Sequence, residues 1–195
     1  MDAALSEHDR QSRHARELRA WVERCARGDA SALRLLYDRL APRALALAQR
    51  ILRLPGDAEE IVQEAFLQVW RRAGEYNPAR GEPDAWVVTI VRSRALDRLR
   101  SRASVERTAL ASAAEPVQTS TVSPLEDAER RVERERVTAA LGALPVEQRT
   151  CLELAYYEGL SHSQIAERTG SPLGTVKTRL KLAVEKLGVL LGGSR

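Results

Sequence analysis

The sequence predicts an all-α protein made of two small helical domains joined by a flexible linker. Three observations carry that expectation. Apolar residues recur at three- and four-residue intervals through most of the chain, and no useful stretch of strand-like alternation appears. Residues 103–125 interrupt the pattern with Ala, Ser, Thr and Val, two prolines (Pro116 and Pro124) and no helical stripe. Aromatic residues make up only 4% of the chain, so its cores rest on Leu, Val, Ile and Ala, a mixture that favours helices.

Residues 1–16 are polar and charged without periodicity and read as a disordered arm. From Glu17 the helical pattern begins with Leu18, Trp21, Val22 and Cys25. Gly28-Asp29 breaks it, and Leu33, Leu36, Tyr37, Leu40, Leu45, Leu47, Ile51 and Leu52 resume it as far as Pro55-Gly56. Asp57 then reads as a helix N-cap with Glu60 as its capping-box partner. The helix that follows carries Ile61, Ala65, Phe66, Val69 and Trp70 on an apolar stripe. Gly74 to Gly81 reads as a loop, and Pro83 stands near the start of a helix running to about Arg102. After the linker a charged helix runs from Leu125 to Val137, and residues 138–191 form a second compact helical unit. Pro145 is placed to open one of its helices.

The sharpest local signal lies between Leu160 and Leu187. Ser161 and Gln164 make a capping box for a short helix over His162–Thr169. Gly170 supplies the tight turn, and Ser171-Pro172 reads as the cap and first-turn proline of the next helix. In that helix Val176, Leu180, Ala183, Val184 and Leu187 share one face, while Lys177, Thr178, Lys181, Leu182 and Glu185 lie opposite. An apolar back with a front of donors and a methyl-contacting group is what a recognition helix in a major groove requires. The plainer reading is a helical hairpin with a solvated basic face.

Charge and composition bound the function. Charged residues make up 30% of the chain, and the net charge is +4, from 31 basic and 27 acidic residues. The pI is about 9.4, which is compatible with nucleic-acid binding without requiring it. Cys25 and Cys151 offer no pair, and His8, His14 and His162 have no metal-ligand spacing. There is no glycine-rich phosphate loop and no nucleophile with a base, so no catalytic site, no metal and no cofactor are expected. The absence of an apolar leader or long apolar span points to the cytoplasm, with no membrane insertion.

The N-terminal half separates a plain helix-turn-helix regulator from something more specialised. Asp57-Ala-Glu-Glu-Ile-Val-Gln-Glu-Ala-Phe-Leu-Gln-Val-Trp resembles region 2.2 of the extracytoplasmic-function (ECF, group IV) sigma factors of bacterial RNA polymerase. Ala85-Trp-Val-Val-Thr-Ile-Val-Arg-Ser-Arg-Ala-Leu-Asp-Arg-Leu-Arg resembles their regions 2.3 and 2.4, and the C-terminal half resembles region 4. The resemblance implies a sigma factor that directs promoter-specific initiation of a stress or envelope-response regulon. It divides the chain into a region 2-like domain at 17–102, a linker at 103–125 and a region 4-like helix-turn-helix domain at 126–191. It implies core RNA polymerase, promoter DNA and a clamping anti-sigma factor as partners.

The same resemblance assigns residues. Core-polymerase binding falls to Asp57, Glu59, Glu60, Gln63 and Glu64, an acidic-amide face suited to a basic partner and otherwise simply a solvated face. The −10 element falls to Trp86, Arg92, Ser93, Arg94, Asp97, Arg98 and Arg100, with Trp86 either a stacking platform or core. Ser93 stands where the family often has Asn, exchanging an amide for a single hydroxyl. The −35 element falls to Thr175, Lys177, Thr178, Arg179, Lys181 and Leu182, the last suited to a methyl contact. The alternative is a stand-alone LuxR-like helix-turn-helix regulator, for which Thr175-Val-Lys-Thr and Lys186-Leu-Gly-Val would also serve. Such a regulator needs a receiver or ligand-binding domain, and the N-terminal half has no strand signals for a receiver.

Overall fold

The computed structural model describes residues 7–109 and 128–191, with side chains over 12–103 and 135–191. All secondary structure among them is helical. The chain divides into two compact units, Met1–Ser120 and Thr121–Arg195.

The first unit is a bundle of four helices: α1 (Glu7–Ala26), α2 (Ala30–Leu52), α3 (Pro55–Arg72) and α4 (Pro83–Ala109). Helix α1 buries Leu18, Val22 and Cys25 at helical spacing. It ends in a Schellman turn at Gly28, φ +86°, where the Asp29 N–H donates to Arg24 O and the Gly28 N–H to Cys25 O. Asp29 then caps α2 by accepting from the Ser31 N–H at 3.0 Å. Helix α2 buries Ala32, Leu36, Leu40, Ala44, Ala48, Ile51 and Leu52. The alanines let α3 and α4 approach it closely. Its C-cap, Arg53, takes a left-handed conformation at φ 58°.

Three sequence expectations change in this unit. Residues 7–16 belong to α1 rather than to a disordered arm. Their Gln, Arg, Glu and Ala content favours helix without an apolar stripe. The first part of the linker expected over 103–125 is helical instead, because α4 runs on to Ala109 through similar helix-forming residues; the rest of that expectation, and the start expected at Leu125 for the next helix, fall on residues 110–127, which lie outside the described set. Asp57 is not an N-cap: α3 starts two residues earlier with Pro55 in its first turn and Leu54 at the cap, since proline is pre-set for that position. The stretch between α3 and α4 is two short 3₁₀ turns, Ala73–Glu75 and Pro78–Arg80.

The second unit holds α5 (Ala128–Gly142), α6 (Val146–Tyr157), α7 (His162–Thr169) and α8 (Leu173–Leu190). Cys151, Ile165 and Val176 form its buried centre, with Leu154, Ala155, Leu160, Ala166 and Leu180 packed around them. The Ser161–Gln164 capping box is present, with reciprocal bonds of 2.9 and 3.3 Å. Pro145 and Pro172 both occupy N-cap positions, so Pro172 stands before α8 instead of within its first turn. Val184 is 60% exposed rather than packed. The inward line of α8 runs from buried Val176 and Ala183 through partly buried Leu180 and Leu187, and Val184 falls one position off it.

Candidate nucleic-acid interface

Helix α4 packs one side into the core of its unit. Val87, Ile90, Val91, Ala95 and Leu96 are all buried. What remains outward is a line at three- and four-residue spacing: Trp86, Thr89, Ser93, Asp97 and Arg100. Trp86 is partly exposed and meets Tyr76 at a ring-centroid distance of 5.3 Å. The Tyr76 hydroxyl donates to Gly81 O at 2.9 Å, so the aromatic pair is held at the mouth of the helix. Burial pushes the Tyr76 phenol above its ordinary value. Asp97 and Arg100 form an ion pair at 3.1 Å on the same line. Thr89 and Tyr76 belong with this surface, although sequence spacing singled out neither. Arg92 lies to one side, half-buried.

Arg94 and Arg98 turn sideways, toward α3. Arg98 Nη1 lies 2.9 Å from Glu60 Oε2 and 3.7 Å from Asp57 Oδ1, while its Nη2 lies 3.6 Å from Glu64. Arg94 Nε donates to Gln68 Oε1 at 2.7 Å, and its Nη1 is 3.6 Å from Glu64. Arg102 meets Asp57 Oδ2 at 2.6 Å. The hydrogen bond from Arg98 holds the Glu60 carboxyl below its ordinary value, and Glu60 raises Arg98 in return. Residues that the sequence assigned to two separate surfaces are therefore each other's partners. Glu59 and Gln63 are exposed on the outer side of α3, where Leu67 follows at 52% exposure.

In the second unit, Gly170 takes φ +63°, a left-handed value that suits glycine, and turns the chain from α7 into α8. Lys177, Thr178, Lys181 and Leu182 are exposed together on one face of α8. Lys181 pairs loosely with Glu185 at 3.8 Å. The Thr178 hydroxyl donates to Gly174 O within its own helix. Thr175 is half-buried, and Arg179 donates to Ser171 Oγ at 2.8 Å, bracing the turn rather than facing outward. An apolar back and a cationic front one helix long fit a DNA groove.

Among the described residues no group of His, Cys, Asp and Glu can hold a metal ion, and no helix is long and apolar enough to cross a membrane.

The Sigma-70 region 2 family model matches residues 36–105, and the Sigma-70, region 4 model matches residues 134–187. The chain is 38% identical over 182 residues to the ECF RNA polymerase sigma factor SigK of Mycobacterium sp. (strain KMS), covering 91% of this chain and 92% of that one. It is 36% identical over 176 residues to the ECF RNA polymerase sigma factor SigK of Mycolicibacterium vanbaalenii, covering 90% of each. Among solved structures it is similar to Rhodobacter sphaeroides SigE, crystallised with the anti-sigma ChrR, at 25% identity and a TM-score of 0.46, over 89% of this chain and 97% of that one.

Proposed function

The chain belongs to the extracytoplasmic-function sigma factors of bacterial RNA polymerase, and from that premise we propose how its two units share the work of initiation. The protein is a transcription initiation factor whose partners are core polymerase and promoter DNA, and its family is regulatory rather than enzymatic. A stand-alone helix-turn-helix regulator is not favoured, because it leaves the region 2 match over 36–105 without a role.

In the proposed division, the region 2 unit docks on polymerase through the outer side of α3, led by Glu59 and Gln63 with Asp57, Glu60 and Glu64 behind them. The outward line of α4, with Trp86, Ser93, Asp97 and Arg100 flanked by Arg92, Arg94 and Arg98, meets the opened −10 element. Stacking and phosphate contacts dominate binding to such a strand. The region 4 unit reads the −35 duplex through Lys177, Thr178, Lys181 and Leu182, with Thr175 and Arg179 seating the helix. The observation that carries the reading is this pairing in one chain: an outward aromatic-polar line on a helix packed into its unit's core by its other side, and a cationic helix-turn-helix face. The work takes place in the cytoplasm, where polymerase acts. The family resemblance implies an anti-sigma factor as the regulatory partner.

The test is promoter-directed run-off transcription with purified core polymerase. Transcripts of defined start that require this protein are expected. Transcription that is the same with and without it, from every promoter of a genomic library, would overturn the reading.

A further inference from the structure

Asp57, Glu60 and Glu64 on α3 face Arg94, Arg98 and Arg102 on α4, so three carboxylates meet three guanidinium groups and the cluster is close to neutral. A guanidinium already ringed by carboxylates has few donors left for a phosphate. Arg98 has three such neighbours. Nor does a neutral cluster offer a basic partner much negative field. Yet the pairs are not locked. The Glu60 side chain is 59% exposed, Glu64 38% and Arg94 42%, and Arg98, the most covered of the four, keeps 26%. Ion pairs this exposed to water change an equilibrium only about 1.5- to 5-fold each, so a competing partner can displace them.

We infer that Glu60 and Glu64 are exchangeable counter-ions: in the free chain they help hold Arg94 and Arg98 against α3, and docking of polymerase on α3 draws them away, leaving Arg94 only its hydrogen bond to neutral Gln68 and Arg98 only the 3.7 Å contact to Asp57, so that both can turn to the phosphates of the opened strand. The inference rests on the proposed roles of α3 and α4 given above, and adds that the two surfaces are alternatives for one set of charges. Asp57 keeps Arg102, so the helices stay joined while the outer pairs open. Linkage makes the coupling reciprocal: DNA held by Arg94 and Arg98 tightens the grip on polymerase by the same factor. A free sigma factor built this way avoids scattering over cellular nucleic acid.

The test uses the full chain without polymerase and a fluorescein-labelled 20-nucleotide single strand of mixed sequence, titrated by anisotropy at several salt concentrations. Glu60→Gln with Glu64→Gln is expected to bind the strand about 5- to 10-fold more tightly than the parent chain, as the loss of two or three such pairs implies. Its salt dependence should steepen by about 0.7 for each additional phosphate neutralised. Adding Arg94→Ala and Arg98→Ala should abolish the tighter binding. The charge-matched control, Glu17→Gln with Glu23→Gln, removes two exposed carboxylates of α1 outside the cluster and should fall well short of it. Circular dichroism checks folding, and Gln68→Ala, which removes the Arg94 hydrogen bond but leaves its Glu64 contact, provides a milder variant with a smaller effect in the same direction. An affinity and salt slope equal to the parent's, or tighter binding that survives loss of both arginines, overturns the inference. A chain that fails run-off transcription outright instead overturns the assignment of function on which it rests.

Discussion

Arg19 on α1 binds Glu82, 63 residues away, with its Nε 3.1 Å from Oε2 and its Nη2 on the second carboxylate oxygen. Glu82 stands at the entry to α4, and its carbonyl accepts from the Trp86 N–H at 3.1 Å. The bidentate fork thus fixes the turn that presents the Tyr76–Trp86 pair. The pair also raises the Arg19 guanidinium above its ordinary value, chiefly through the Glu82 hydrogen bond.

Arg19→Ala should therefore loosen this turn locally. The expected outcome is faster amide exchange over residues 73–86 with no change in residues 140–190, measured by hydrogen–deuterium exchange. Promoter opening should fall while binding to the upstream duplex stays intact. Unchanged protection of 73–86 would mean that packing alone holds the turn.

Asp29 supplies an acid-side signature. Hydrogen bonds from Ser31 and from Arg24 lower its carboxyl from 3.8 to about 2. A group lowered in the folded state stabilises above its unfolded value, and that stabilisation is lost as pH falls through the folded value. The contribution of Asp29 is thus full above about pH 4 and fades between about 4 and 2. Asp29→Asn keeps an acceptor for the Ser31 N–H but cannot titrate. The melting-temperature difference between parent and variant should be constant from pH 5 to 7 and shrink below pH 4, as read in a pH series of thermal melts. A difference independent of pH throughout would show that the cap, not the charge, matters.

The parts legible in the sequence were those governed by neighbours in sequence. The Ser161–Gln164 box, Gly170 and the cationic face of α8 are all local patterns, and each stands where its spacing placed it. Long-range pairing left no such trace. Asp57 has the residue type of a cap, but Pro55 starts the helix earlier and the carboxylate serves Arg98 and Arg102 on another helix. Likewise Glu60 and Glu64 look like a solvated face until α4 brings arginines alongside. The start of α1 has no periodic signature, because residues 7–16 have helix propensity without an apolar stripe; contact between His14 and Arg39 at 3.1 Å ties that end to α2.

The second unit has a small core, so its two key positions should respond differently. Ile165 is fully buried, and Ile165→Ala should cost about 2–5 kcal/mol. A unit of about 75 residues holds only about 4–11 kcal/mol in total, so the variant should lose protection over residues 140–190 while the first unit keeps its own. At Gly170 an added Cβ meets nothing within 4 Å. Gly170→Ala therefore suffers only the left-handed backbone penalty, about 1–2 kcal/mol, and should lower stability without unfolding. Denaturant titration followed by hydrogen exchange separates the two. Equal costs would show that the turn, not the core, limits this unit.

The last prediction separates the proposed roles of the two units. Lys181 is 76% exposed and its link to Glu185 is long, at 3.8 Å, so the ammonium group can leave it at little cost. Truncating a base-contacting side chain costs about 1–3 kcal/mol and relaxes preference at one duplex position. Lys181→Ala should weaken binding to the upstream element to that extent, yet still yield open complexes on a template already melted at −10. Arg92→Ala with Ser93→Ala should do the reverse: the upstream element stays bound and duplex DNA fails to open. Ser93 suits this test because it lies exposed on the outward line of α4, away from the buried residues that support the helix. Permanganate footprinting on duplex and pre-melted templates reads both outcomes. If Arg92→Ala with Ser93→Ala opened duplex DNA as well as the parent does, α4 would lose its assigned contact with the melted strand, and the opening surface would have to be sought elsewhere on the first unit.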